Sequence, residues 1–224
     1  MVFSGRPERA PELRDAVHLL RPGDLPGPAG ETCLAWRRAV ERPLSAKALY
    51  RALPDLQAER IATWLDAGQG VPVTRAALVL EAVLRERPRA DVAALILADA
   101  VLAQALGWEH LVPLLAAGLR PADLRKQGAA LRMAAHRALI SSAIEAVRQA
   151  AELARRAAHL RAVAPKLRAR GAGGAVAMFL TRDAVAPAAL PLPDRAARRL
   201  CDRLVTLGAV RELTGRDTFR LYGL

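Results

Sequence analysis

Aromatic residues are scarce in this sequence: they make up 4% of its 224 residues, whereas hydrophobic residues as a whole reach 53%. A core with so few aromatic side chains has to be filled by alanine and leucine. Such a core favours helices packed through small residues and argues against a sheet-rich fold. The composition therefore predicts a mainly α protein.

Cysteine is equally scarce, and Cys33 and Cys201 lie far apart with no CxxC pair and no neighbouring histidine. They suggest buried thiols in a reducing compartment and not a disulfide framework or a zinc site. The N-terminus has no apolar signal core, and the longest apolar run, residues 91–108, is interrupted by Asp99 and Gln104. We therefore expect a cytoplasmic protein without a membrane span.

Catalytic and cofactor motifs are missing as well. The four histidines are at least 23 residues apart along the sequence, and neither HExxH nor GxSxG occurs. The glycine-rich stretch 171–174 follows a helical pattern and lacks a subsequent GK[ST], which favours a hinge over a phosphate loop. We expect no enzyme activity, no cofactor and no metal.

Asp99 is the one carboxylate that invites a catalytic interpretation, because it lies within an apolar helical run. A buried acid with a raised pKa is a functional candidate. The alternative, which we favour, is that Asp99 lies on a polar face or is bonded to a neighbouring arginine such as Arg125 or Arg132, since buried carboxylates usually have partners.

Positive charge is concentrated near the C-terminus. The formal net charge is +12, and only Lys47, Lys126 and Lys166 are lysines, so arginine carries most of it. From Arg155 onward 14 basic and 5 acidic residues give +9, whereas the preceding chain has 20 basic and 17 acidic residues and a net charge of +3. This asymmetry predicts an anionic partner for the C-terminal part.

The helical signals divide the chain into two predicted domains. Residues 1–170 are predicted to form a multi-helix array. It ends in a proline-free stretch from Gly128 to about Ala164, which forms either one long helix or two helices with a kink at Ser141 and Ser142. Pro165 and the glycines that follow break the pattern, so residues 171–224 form the second predicted domain. In it, a helix over 175–182, a short second helix over 183–190 and a helix from Asp194 to Leu207 follow one another.

The last of these helices separates charge from apolar surface. On a wheel of about 100° per residue, Ala197, Leu200, Cys201 and Leu204 share one side. The opposite side carries four arginines, namely Arg195, Arg198, Arg199 and Arg203. "AVREL" and "TFRLY" then alternate around "TGRD", which predicts a β-hairpin with Arg216 near its tip.

Helix, short helix, basic helix and hairpin is the order of a winged helix-turn-helix. The favoured hypothesis is therefore a regulatory or plasmid-linked protein that binds double-stranded DNA. Its DNA contacts would come from Arg195, Arg198, Arg199 and Arg203 on the helix, and from Arg216 and Arg220 on the wing. The alternative is a non-enzymatic helical scaffold that binds a protein partner. The oligomeric state is left open.

Three stretches carry a family resemblance: "LRDAVHLLRPGDLPGPAG", "RAVAPKLRARGAGGAVAMFLTRDAV" and "DRAARRLCDRLVTLGAVRELTGRDTFRLYGL". They resemble the bacterial family called domain of unknown function 1403, over nearly the whole chain. That family begins earlier, so the resemblance implies that an N-terminal helical segment is missing here. The ending also resembles the C-terminal winged helices of some Fic-type proteins, but the Fic catalytic motif is not in the sequence. The resemblance implies no activity.

Overall fold

The computed structural model describes residues 23–167, 170–215 and 219–224. Within these ranges it contains nine α-helices and one two-stranded antiparallel sheet, so the predicted mainly α fold is confirmed. The helices are α1 (Gly27–Val40), α2 (Ala46–Ala52), α3 (Ala58–Asp66), α4 (Pro72–Glu86), α5 (Asp91–Ala105), α6 (Leu114–Gly118), α7 (Gly128–Val163), α8 (Ala172–Thr181) and α9 (Asp194–Thr206).

Two compact units make up the chain, the first ending at Ala146 and the second beginning at Val147. This division falls inside α7 and not after it. The sequence predicts a boundary at residue 170 between domains that fold independently, which is a different kind of division. That boundary stays a prediction. In the described ranges, none of the helices is both long and apolar enough to cross a membrane.

The core of the first unit is built around α5, in which every residue from Ala94 to Ala103 is buried. Helix α4 packs along it through buried Ala76, Val79, Leu80 and Val83. Alanine and leucine supply most of this core, as the shortage of aromatics predicts. Ser45 begins α2 as its N-cap: its hydroxyl oxygen accepts a hydrogen bond from the amide of Ala48 at 3.1 Å.

The second unit has its own core, formed by the last turns of α7, by α8, by α9 and by the sheet. Strands β1 (Arg211–Glu212) and β2 (Tyr222–Gly223) pair in the register Arg211 with Gly223. The predicted hairpin is therefore present, with two paired residues on each strand. Gly215 in its bend has φ +63°, a left-handed conformation that glycine adopts without steric cost.

The short second helix predicted over 183–190 is wrong. Val185 lies in an extended bridge with Tyr222. Its amide N–H donates to the carbonyl of Tyr222 at 2.8 Å, and its carbonyl accepts from the amide of Tyr222 at 3.0 Å. Only one 3-10 turn follows, Pro187–Ala189. The physical reason is Pro187, because its ring disfavours helical angles at the preceding residue, and Ala186 has φ −80° and ψ 146°.

Candidate functional site

Helix α9 presents one buried face and one exposed face, as its sequence predicts. Ala197, Leu200, Cys201 and Leu204 are buried in the second core. All four predicted arginines on the helix are exposed to solvent. The amphipathic pattern has therefore placed the basic face outward within this unit.

Three of those arginines form a ridge. Arg195, Arg199 and Arg203 follow one another at four-residue spacing, so each is displaced about 40° around the helix from the last and about 6 Å along it. Within the described ranges, none of the three has an ion-pair partner. We call these three residues the arginine ridge.

Arg198 differs from the ridge. Its guanidinium Nη2 lies 2.9 Å from Oδ2 of Asp194, one turn earlier on the same helix. Asp194 is the first residue of α9 and follows Pro193. The four arginines that share one side of the wheel therefore divide into three without an ion-pair partner and one that is paired.

A groove of about 480 Å³ lies beside Arg198, between the 3-10 turn, α9 and β2. Its apolar wall includes Pro187 and Phe219. Its charged groups are two arginines and two carboxylates: Arg198, Arg220, Asp194 and Asp202. The groove is therefore electrically balanced, in contrast to the arginine ridge.

The hairpin supplies the remaining predicted residues. Arg220 is exposed, and its hydrogen bond with Tyr222 raises the pKa of its guanidinium. Arg216 lies outside the described residues. Glu212 accepts a hydrogen bond from the amide of Gly215 at 2.8 Å, which ties the start of the bend to β1.

Phe219 is the residue of this region that sequence reasoning missed. Its side chain is exposed (69%), and its φ of 55° lies in the left-handed region that bulky residues rarely adopt. The alternation in "TFRLY" placed it in a regular strand, so no signal in the sequence indicated this conformation.

A protein-family model described as "Protein of unknown function (DUF1403)" matches residues 1–224 of the chain. The chain belongs to the DUF1403 family. The predicted resemblance is confirmed over the full length of the chain. Neither the curated proteins nor the solved structures give a match. A function for this DUF1403 chain therefore has to be argued from its own geometry.

Asp99 of the DUF1403 chain is a buried helix cap. Its Oδ1 accepts a hydrogen bond from the amide of Leu115 at 2.8 Å, and Oδ2 accepts one from Ala116 at 3.1 Å. The predicted arginine partner is therefore wrong: backbone amides at the start of α6 fill that role. Burial raises the pKa of this carboxyl to about 7, against the opposing effect of these hydrogen bonds.

Two other side chains with reactive groups, Cys201 and His159, contribute to packing and hydrogen bonding within the second unit. Burial raises the pKa of the Cys201 thiol to about 12, which leaves it protonated and unreactive at neutral pH. His159 hydrogen-bonds through Nε2 to the carbonyl of Leu207 at 3.0 Å, near the end of α9. Across the part of the chain that the structure describes, no group of His, Cys, Asp and Glu is arranged to hold a metal ion.

Proposed function

We propose that the second unit of this DUF1403 protein binds double-stranded DNA through the arginine ridge on α9. The observation that carries the proposal is the ridge itself: three exposed guanidinium groups on one helix, without ion-pair partners among the described residues. A guanidinium can bind phosphate oxygens in a bidentate manner, and it can also read the O6 and N7 atoms of guanine.

The order of elements around the ridge supports a winged helix-turn-helix arrangement. In this proposal α9 is the recognition helix and the hairpin is the wing. The 3-10 turn Pro187–Ala189 takes the place of the preceding helix. The bridge between Val185 and Tyr222 adds a third extended segment beside the hairpin. A helix held on such a support can lie in the major groove while the wing contacts the backbone.

Charge gives the proposal a second support. The excess of +9 from Arg155 onward would draw the unit toward any polyanion. Arg220 and Arg216 of the hairpin would add wing contacts. Asp194 already neutralises Arg198, so Arg198 contributes less to DNA binding than the ridge does.

Salt titration of binding to duplex DNA tests the proposal. Each phosphate contact that is lost should flatten the plot of log affinity against log salt by about 0.9. Replacing Arg195, Arg199 and Arg203 together by alanine should therefore lower the slope by about 3 and weaken binding to all sequences. Arg198→Ala is the matched control, since it removes an arginine from the same helix.

Two results would overturn the proposal. The absence of binding at low salt would exclude a DNA-binding role. An equal loss per arginine removed, in the triple variant and in Arg198→Ala, would show that net charge, and not the ridge, is responsible. All four side chains are exposed, so circular dichroism should give the same helix content for every variant.

A protein partner is the second candidate, and the balanced groove favours it. Asp194 and Asp202 would repel phosphate, whereas apolar walls with both signs of charge suit a polypeptide. This candidate predicts capture of a protein partner by the full chain after nuclease treatment. Capture should survive the triple ridge variant and be lost in Phe219→Ala. Neither candidate involves a catalytic step.

A further inference from the structure

A cavity of the first unit lies where the loop between α1 and α2 meets the end of α5. Its volume is about 380 Å³, which is a size typical of small-molecule sites. Its lining comes from residues 43–46, from α2, α3 and α5, and from residues 107–109, so the whole cavity belongs to the first unit. We call this space the α5-end cavity.

Backbone hydrogen bonds hold the walls of the α5-end cavity in place. The amide of Leu44 donates to the carbonyl of Glu109 at 2.8 Å, which joins the loop before α2 to the segment after α5. Gly107 follows α5 with a φ of +69°, and the amide of Trp108 donates back to the carbonyl of Ala103 at 2.9 Å. This is the Schellman cap, in which a left-handed glycine turns the chain away from the helix. The cap places Trp108 and Glu109 in the lining of the cavity.

The inner wall of the α5-end cavity is apolar. Leu49 and Ala100 are buried, with 2% and 1% exposure. Leu44 and Leu65 are half-buried and pack against the same core. Leucine side chains at the inner wall of a concave site suit the alkyl part of a ligand, because its burial removes apolar surface from water.

The outer part of the α5-end cavity is electrically negative. Among the described residues that line it, Glu109 is the one that is charged, although the whole chain has a net charge of +12. Within the described ranges, its carboxylate has no ion-pair partner. Gln104 lies in the last turn of α5, where the helix dipole is negative. The electrostatics of this cavity therefore favour a cation.

The first unit already holds one cation with the same two types of side chain. The guanidinium of Arg60 lies 5.4 Å from the centre of the Trp64 ring, and its Nε donates to Oε1 of Glu86 at 2.6 Å. An indole ring attracts a cation through its quadrupole, and a carboxylate attracts it through charge-assisted hydrogen bonds. Trp108 and Glu109 supply this pair of groups in the α5-end cavity, and Trp108 is 38% exposed.

We propose that the α5-end cavity binds a small organic cation, a guanidinium or ammonium group on a short alkyl chain. The cationic group lies against Glu109 and Trp108, and the side-chain oxygen of Gln104 can accept a further hydrogen bond from it. The alkyl chain packs on Leu49 and Leu65. Because concave sites of this volume suit small molecules, the ligand is a free compound and not a side chain of a partner protein. The site belongs to the first unit, so it is independent of DNA binding by the arginine ridge.

Butylguanidinium is the probe that tests this site, and butylurea is its control, since it has nearly the same shape and no charge. Nuclear magnetic resonance of the ¹⁵N-labelled full chain measures binding, because each tryptophan indole N–H gives its own signal. The signal that disappears in Trp108→Phe belongs to Trp108. We expect butylguanidinium to shift it with a dissociation constant of about 1 mM. Butylurea should bind at least about tenfold more weakly, because it lacks the charge that Glu109 attracts.

Two variants test the roles of the side chains, and the backbone amide signal of Gly107 reports binding in each. Glu109→Gln removes the charge and keeps the shape, so it should weaken butylguanidinium about tenfold and leave butylurea unchanged. Trp108→Leu should weaken butylguanidinium about fivefold, because the ring that attracts the cation is lost. Glu59→Gln is the matched control: Glu59 is an exposed acid of the same unit that does not line the cavity, and its loss should change neither affinity.

Four results would overturn the proposal. One is an unchanged Trp108 signal at tens of millimolar butylguanidinium. Equal affinities for butylguanidinium and butylurea would mean that the cavity selects apolar shape and not charge. Equal losses in Glu109→Gln and Glu59→Gln would mean that net charge attracts the probe. Tighter binding of a capped tripeptide with a central arginine would assign the cavity to a partner protein. None of these results bears on DNA binding by the arginine ridge.

Discussion

Helix α5 of the first unit is buried over its whole circumference from Ala94 to Ala103, whereas α9 of the second unit buries one face only. Neighbouring elements surround α5, so its side chains serve packing in every direction. Helix α9 has partners on one side, and its other side is free to carry charge. An ionisable group on a buried helix is therefore held by contacts within the fold, whereas the charges on the exposed face of a half-buried helix can bind a partner.

The carboxylates of the two helices should respond differently to pH, and this is the largest expected effect. Burial raises the pKa of Asp99 on α5 to about 7 from the model-peptide value of 3.8. The folded protein then holds this proton more tightly than the unfolded chain does. Stability from Asp99 is therefore fully present below about pH 4 and lost as pH rises to about 7, a change of roughly 4 kcal/mol.

Urea unfolding followed by tryptophan fluorescence measures this loss, because Trp36, Trp64 and Trp108 all lie in the first unit. Asp99→Asn is the control that does not titrate, and the difference in unfolding free energy between the two proteins isolates Asp99. Parallel curves for both proteins from pH 4 to pH 7 would contradict the assignment.

Alanine substitutions at successive positions should lower stability in different patterns on α5 and α9. Leu95, Ile96 and Leu97 are all buried, so each change to alanine should cost about 3 kcal/mol. Among the three successive positions 203–205 of α9, the same loss is expected only for Leu204→Ala, because only Leu204 is buried. Arg203→Ala and Val205→Ala, on either side of it, should change stability by less than about 0.5 kcal/mol. Thermal unfolding monitored by circular dichroism checks the series, and equal costs along α9 would refute the one-sided packing.

Alanine substitutions of two glycines should change stability least, and they compare how tightly the first and second units are packed. A Cβ on Gly118 of α6 would lie 2.5 Å from the carbonyl oxygen of Ala138 and from Oγ of Ser142. Gly118→Ala should therefore destabilise the first unit by about 2 kcal/mol. A Cβ on Gly173 of α8 would meet nothing within 4 Å, so Gly173→Ala should stabilise the second unit by about 0.5–1 kcal/mol.

For Gly118→Ala, the test is the denaturant midpoint followed by tryptophan fluorescence. For Gly173→Ala, the test is amide hydrogen exchange in α8. If Gly118→Ala left the stability of the first unit unchanged, this would mean that α6 can move away from α7. A destabilising Gly173→Ala would mean that the open space beside α8 is filled.

Local patterns in the sequence predicted much of the fold. The long helix α7, the amphipathic α9 and the hairpin follow from periodicity, from Pro165 and from Gly215, because these signals act within a few residues. The pairing of Asp194 with Arg198 could also have been predicted from its four-residue spacing. The second helix of the predicted turn failed because Pro187 forces the preceding residue into an extended conformation.

The surroundings of Asp99 and of the arginine ridge are set by tertiary packing. The partners of Asp99 are amides of Leu115 and Ala116, in a different helix, and no local rule connects them. The exposure of the arginine ridge depends on which face of α9 the neighbouring elements cover. Which segments are helical and where positive charge is concentrated could be predicted from the sequence, because both depend on residues close together along the chain. Tertiary packing decided which charges keep water and which lose it, because desolvation depends on distant segments brought together.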